Sequence, residues 1–83
     1  MSDEEFDVLD ELYFVHPYAY LRETLGWEEM RLLDTLTILI EKGWVKCFTK
    51  PDQECFEAVN LQEVGKELLY LATKKGLMAH TTR

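Results

Sequence analysis

Several things are scarce in this 83-residue chain, and each scarcity excludes something. Cysteine occurs twice, too few for a disulfide-built scaffold. Histidine also occurs twice. His16 precedes a proline at an expected helix boundary and His80 lies in the final segment, so each reads as a surface residue rather than a general base. No phosphate-cradling glycine loop, dinucleotide fingerprint or nucleophile with an adjacent base is present. No apolar run approaches the roughly 18 residues that a membrane-crossing helix needs. The opening MSDEEFD is acidic and lacks an apolar signal core. Nothing there suggests export, and a cytoplasmic chain with free thiols is expected. Basic residues are few as well, 9 Lys and Arg against 16 Asp and Glu, for a net charge of −7. Enzymatic activity, cofactors and a metal site are therefore not expected.

What is present is apolar and patterned. Hydrophobic residues make up 47% of the chain, too many for a disordered acidic tail. The length suits a single domain over residues 1–83, one that hides only about 60% of its unfolded surface. The charge is uneven. The first 34 residues hold ten acids and two arginines, whereas the rest hold six acids and seven bases. A polyanion would be repelled by the first part.

Ser2 and Glu5 make a capping-box pattern, so a first helix is expected from Asp3 to about Val15. Phe6, Leu9 and Tyr13 form its inward stripe. Pro17 suits the start of a second helix, Tyr18 to Leu25, and Gly26 can take the left-handed turn after it. A third helix is expected from Trp27 to Lys42, closed by Gly43. Leu32, Leu36, Leu39 and Ile40 lie on its inner side, with Leu33 at the margin.

WVKCFT, KPDQ and ECFEAVN then read as a hairpin around Pro51-Asp52. Pairing Lys50 with Gln53 sets Cys47 opposite Phe56, Val45 opposite Ala58 and Lys46 opposite Glu57. In that register Cys47 faces the core, Cys55 faces outward, and a disulfide between them is disfavoured. Asn60 and Glu63 repeat the cap pattern. The stripe Leu61, Val64, Leu68, Leu71 and Ala72 predicts a last helix from Leu61 to about Lys75, stopped by Gly76 and followed by a fraying tail. The fold class is mainly α with a small antiparallel β-hairpin (α+β), in the order helix, helix, helix, strand, strand, helix.

The stretch LGWEEMRLLDTLTILIEKGWV, from Leu25 to Val45, resembles the winged helix-turn-helix superfamily, and MarR-like transcriptional regulators in particular. Gly26 matches the turn glycine, Leu32, Leu36 and Leu39 match the core positions, and Glu41-Lys42-Gly43 matches the close of the recognition helix. Thr35 stands where an aliphatic residue is more usual. The resemblance implies a DNA-reading third helix, phosphate contacts from the wing, and dimerisation through the first and last helices.

Two functional readings follow. In the first, Glu28, Glu29, Met30, Leu33, Asp34 and Ile38 form a protein-binding face on the third helix, and the chain is a non-enzymatic interaction module, binding a protein partner or itself. In the second, the chain is a small dimeric DNA-binding regulator. Arg31 approaches the groove, and Lys42, Lys46 and Lys50 hold phosphates. Base edges are read mainly by Arg, Lys, Asn, Gln, Ser and Thr, so the acids on this helix favour the first reading. For either, Val8, Leu69, Tyr70, Leu77 and Met78 are the expected homodimer surface.

Overall fold

The computed structural model describes residues 1–55 and 60–82. The first helix, α1 (Asp3–Glu11), starts on the expected capping box. The Ser2 hydroxyl accepts from the Glu5 N–H at 3.1 Å, and the Glu5 carboxylate accepts from the Ser2 N–H at 2.9 Å. The helix stops four residues before Val15. The Leu12 carbonyl accepts from the Ala72 N–H at 2.9 Å instead of continuing the helical ladder. Beyond it His16–Pro17 forms a two-residue strand, β1.

Helix α2 (Tyr18–Leu25) has the expected bounds and ends on Gly26, whose φ of 70° an L side chain rarely adopts. Helix α3 (Glu29–Glu41) begins later than expected, because the Arg22 guanidinium donates to the Trp27 carbonyl and holds that residue in the turn. Gly43, at φ 76°, closes α3, and the Trp44 N–H donates back to the Leu39 carbonyl at 2.9 Å. Thr35 is buried within α3 and donates its hydroxyl to the Arg31 carbonyl at 2.8 Å, so its own oxygen is not stranded in the core.

The sheet departs from a simple hairpin. Strands β2 (Val45–Lys50), β3 (Gln53–Glu54) and β4 (Leu69–Ala72) join β1 in the order β1-β4-β2-β3, with every neighbouring pair antiparallel. Lys50 pairs with Gln53 as expected, but an irregularity follows and Phe48 pairs with Glu54. The one-residue slip brings the Cys55 N–H onto the Cys47 carbonyl at 2.8 Å. Cys47 therefore faces Cys55. Lys46 makes its ion pair with Glu54 at 3.4 Å. The expected partners Phe56, Glu57 and Ala58 lie outside the described residues. The other edge of β2 is taken by β4, with Val45 opposite Ala72 and Cys47 opposite Tyr70.

The expected last helix is the largest correction. It is three pieces: α4 (Leu61–Val64) running into a 3-10 turn (Gly65–Glu67), then β4, then α5 (Lys74–Thr81). The run Leu68 to Ala72 alternates buried and half-buried, which is strand periodicity. Thr73 caps α5, accepting from the Gly76 N–H at 3.0 Å while its hydroxyl donates to the Gly43 carbonyl at 2.7 Å. Gly76 is thus inside the first turn of α5 rather than a helix stop. A methyl there would collide with the Trp44 carbonyl oxygen.

The class is α+β, with five α-helices and a four-stranded antiparallel sheet among the described residues. The core lies between α1, α3 and the sheet. Val8, Leu9, Leu12, Leu21, Leu36 and Tyr70 are all fully buried in it. Burying each such aliphatic side chain contributes about 1.5–3 kcal/mol. None of the described helices is long and apolar enough to cross a membrane.

Candidate interaction surface

Helical spacing puts Met30, Asp34, Ile38 and Glu41 on one outward face of α3. Met30 is 54% exposed and Ile38 45%, high for large apolar side chains. Glu28 is the exposed N-terminal flank, and Glu29 reaches Lys66 at 3.0 Å. The Asp34 carboxylate accepts from the Gln62 side-chain amide at 3.2 Å. These last two contacts lay α4 and its 3-10 turn along α3. An open groove of about 450 Å³ remains between them, lined by Asp34, Thr37, Ile38, Glu41, Asn60, Leu61 and Gln62. Its apolar floor is Ile38, and its charged rim is Asp34 and Glu41. Among the described residues no cation pairs with Glu28, Asp34 or Glu41.

The sixth expected face residue, Leu33, is 1% exposed and points into the core. Its Cδ2 lies against Gly65, at the start of the 3-10 turn.

The four expected phosphate or base contacts fare differently. Arg31 lies over the Trp27 ring at 4.2 Å and pairs with Glu4 at 3.3 Å. Lys42 pairs with Glu5 and lies over the Trp44 ring at 4.6 Å. Lys46 pairs with Glu54. Only Lys50, at the end of β2, is exposed with no ion pair among the described residues. The exposed pair of Arg31 with Glu4 is worth about 0–1 kcal/mol, yet it still cancels the charge a phosphate would seek.

The Lys42 contact has a measurable electrostatic consequence. Burial alone would raise the Glu5 pKa, but the Lys42 ammonium and two hydrogen bonds with Ser2 outweigh it and hold the carboxyl below its ordinary value.

The expected dimer surface divides. Val8 and Tyr70 are both 0% exposed, so neither can meet a partner. The Tyr70 hydroxyl donates to the Gly65 carbonyl at 2.6 Å, and burial, aided by the Cys47 thiol, pushes its pKa up. Leu69 is half-buried in β4. Leu77 and the 60%-exposed Met78 line a smaller apolar groove of about 310 Å³ on α5. Helices α1 and α5, the first and last of the described chain, contact each other within it, with α5 occupying what was expected to be the tail. His80 is central to that contact. It stacks on Phe6 at 4.2 Å, shares a hydrogen bond with the Tyr13 hydroxyl at 2.8 Å, and lies 3.3 Å from Asp10. It is therefore not a residue of a loose tail.

Sequence reasoning missed two features of the surface. Phe14, 77% exposed beside Tyr13 and Val15, is the most exposed large apolar side chain described. The sequence YFV carries that signal in the open, at the place where α1 was expected to continue. The groove wall from Asn60 to Gln62 was missed because it exists only once α4 folds back on α3.

Comparison with protein-family models, with curated proteins and with solved structures finds no match. The surface must therefore be read from its own chemistry. No group of three or more metal-ligating side chains occurs among the described residues.

Proposed function

We propose that this chain is a non-enzymatic acidic module of winged helix-turn-helix type that acts through protein–protein contact. The contact face is the outer side of α3, with Met30 and Ile38 supplying apolar area and Glu28, Asp34 and Glu41 selecting a partner with basic side chains. The observation that carries this reading is the state of the charges. Glu28, Asp34 and Glu41 on this face have no cation among the described residues, while Arg31, Lys42 and Lys46 are each held by a carboxylate of the same chain.

The turn at Gly26 between α2 and α3, with an antiparallel sheet packed beside them, supports the winged-helix type. In that description the wing is the longer pairing of β2 with β4, and the segment carrying β3 and α4 is inserted between them. That insertion lies against α3 through Gln62 and Lys66, on the face a DNA reader would present to the major groove. A DNA-binding regulator would keep Lys50 alone of its four expected contacts. A cytoplasmic location fits this reading.

Two experiments test it. The chain should not bind mixed-sequence duplex DNA even at low salt, where nonspecific attraction is strongest. A partner or second copy held by the wild-type chain should be lost with Met30→Asp and kept with Lys50→Glu. Retention in Met30→Asp would remove the α3 face from the interface.

A further inference from the structure

Cys47 and Cys55 are the only cysteines in the chain, and the slipped register brings them together. Phe48 pairs with Glu54, so the next rung places Cys47 directly opposite Cys55. The hydrogen bond from the Cys55 N–H to the Cys47 carbonyl, at 2.8 Å, marks this rung as a hydrogen-bonded pair. Opposed residues of an antiparallel pair project to the same face. Accordingly Cys47 lies in the core and Cys55 is half-buried against it. The α-carbons of such a rung are about 5.5 Å apart, within the roughly 4.4–6.8 Å that disulfides span. Burial first, and then a hydrogen bond with the Cys55 thiol, push the Cys47 thiol up to about 12. Of the two thiols, Cys55 is the one solvent can reach.

We propose that Cys47 and Cys55 form a reversible dithiol–disulfide site that a peroxide closes. The Cys55 thiolate attacks a peroxide oxygen. The O–O bond breaks, an S–O bond forms, and hydroxide leaves to be protonated as water. The Cys47 sulfur then attacks the Cys55 sulfenic acid. The S–S bond forms, the S–O bond breaks, and the departing hydroxide takes the Cys47 proton as a second water. The two thiols lose two protons and two electrons, and one hydrogen peroxide becomes two waters. The bond joins β2 to the residue just after β3, on the segment that leads to α4 and the α3 groove. Strained or partly exposed disulfides are the readily reduced ones, so a mild dithiol should reopen it.

The test is intact mass of the folded chain after hydrogen peroxide, with iodoacetamide alkylation in denaturant. The expected product is a monomer on a non-reducing gel, lighter by two hydrogens, that takes no alkyl group. Dithiothreitol should restore both alkylation sites. Cys55→Ser, a change at a half-buried position, should leave Cys47 fully alkylatable after the same exposure. Three results would overturn the proposal. One is two alkylatable thiols after a dose that oxidises a control thiol peptide. Another is Cys55 driven to sulfinic acid with Cys47 still free. The third is disulfide-linked dimer as the main product.

Discussion

The two ends of the chain take their shape from different distances along it. From α1 to the end of α3, most boundaries are set by a group at most five residues away: Ser2 with Glu5, Gly26 with Arg22, and Trp44 with Leu39; the end of α1, where the Leu12 carbonyl meets the Ala72 N–H, is the exception. After β2 the boundaries are set from afar. Strand β4 exists because β1 and β2 leave a slot between them, and α5 begins where Thr73 meets the carbonyls of Gly43 and Trp44. Local signals fix helices that carry their own caps. A short apolar run such as LLYLA is decided by the edge it can pair with.

Glycine substitutions should separate the two regions most sharply. Gly76→Ala drives a methyl into the Trp44 backbone, which cannot rotate away. A loss of about 3 kcal/mol is expected in urea unfolding, the upper part of the range for overpacking. Gly26→Ala meets no atom and has only its left-handed φ to overcome, for about 1–2 kcal/mol. Equal losses would mean that α5 does not dock where described.

Next in size is Tyr70→Phe. It removes the shorter of the two hydrogen bonds that the buried Gly65 carbonyl accepts, leaving only the Leu68 N–H at 3.4 Å, and about 1–2 kcal/mol should be lost. A neutral result would place Tyr70 at the surface, as expected of a continuous last helix.

Glu5→Gln tests the other region, with about 1–2 kcal/mol expected at neutral pH. The Glu5 pKa is lower folded than its ordinary 4.5, so its contribution is complete above that value and fades as pH falls through the folded one. Wild type and variant should therefore differ near pH 7 and converge in acid. A gap that persisted in acid would show that packing, and not charge, is what Glu5 supplies.

Met30→Asp should do least to stability, within about 0.5 kcal/mol, because the side chain is exposed. Its effect should fall on binding instead. A large loss of stability would make Met30 part of the packing rather than part of a surface.

Much of this was legible in the sequence, for a physical reason. The α2 bounds, both left-handed glycines, the capping box and the Lys50–Gln53 turn each depend on a few neighbouring residues. The outward face of α3 follows from helical periodicity alone, which placed Met30, Asp34 and Ile38 correctly at the surface. The illegible parts depend on tertiary contact. Leu61, Val64, Leu68 and Leu71 fit a helical stripe by spacing, although Leu68 to Ala72 also alternates. Thr73 ahead of Lys74 was the overlooked cap. Val8 and Tyr70 looked like surplus apolar residues, and Leu33 like a residue at the margin of the α3 stripe, because the elements packed against them had not been placed. The ion pairs that neutralise Arg31 and Lys42 join residues 27 and 37 apart, beyond any local pattern.

The proposed reading rests on the neutralised cations and the uncompensated acids of α3, and it predicts that this helix does not read DNA. The direct measurement is fluorescence anisotropy of a labelled mixed-sequence duplex, titrated with the wild-type chain from low to physiological salt. No binding at the lowest salt is the predicted result. Binding whose log affinity falls linearly with log salt would contradict it and would restore Lys42, Lys46 and Lys50 as phosphate contacts.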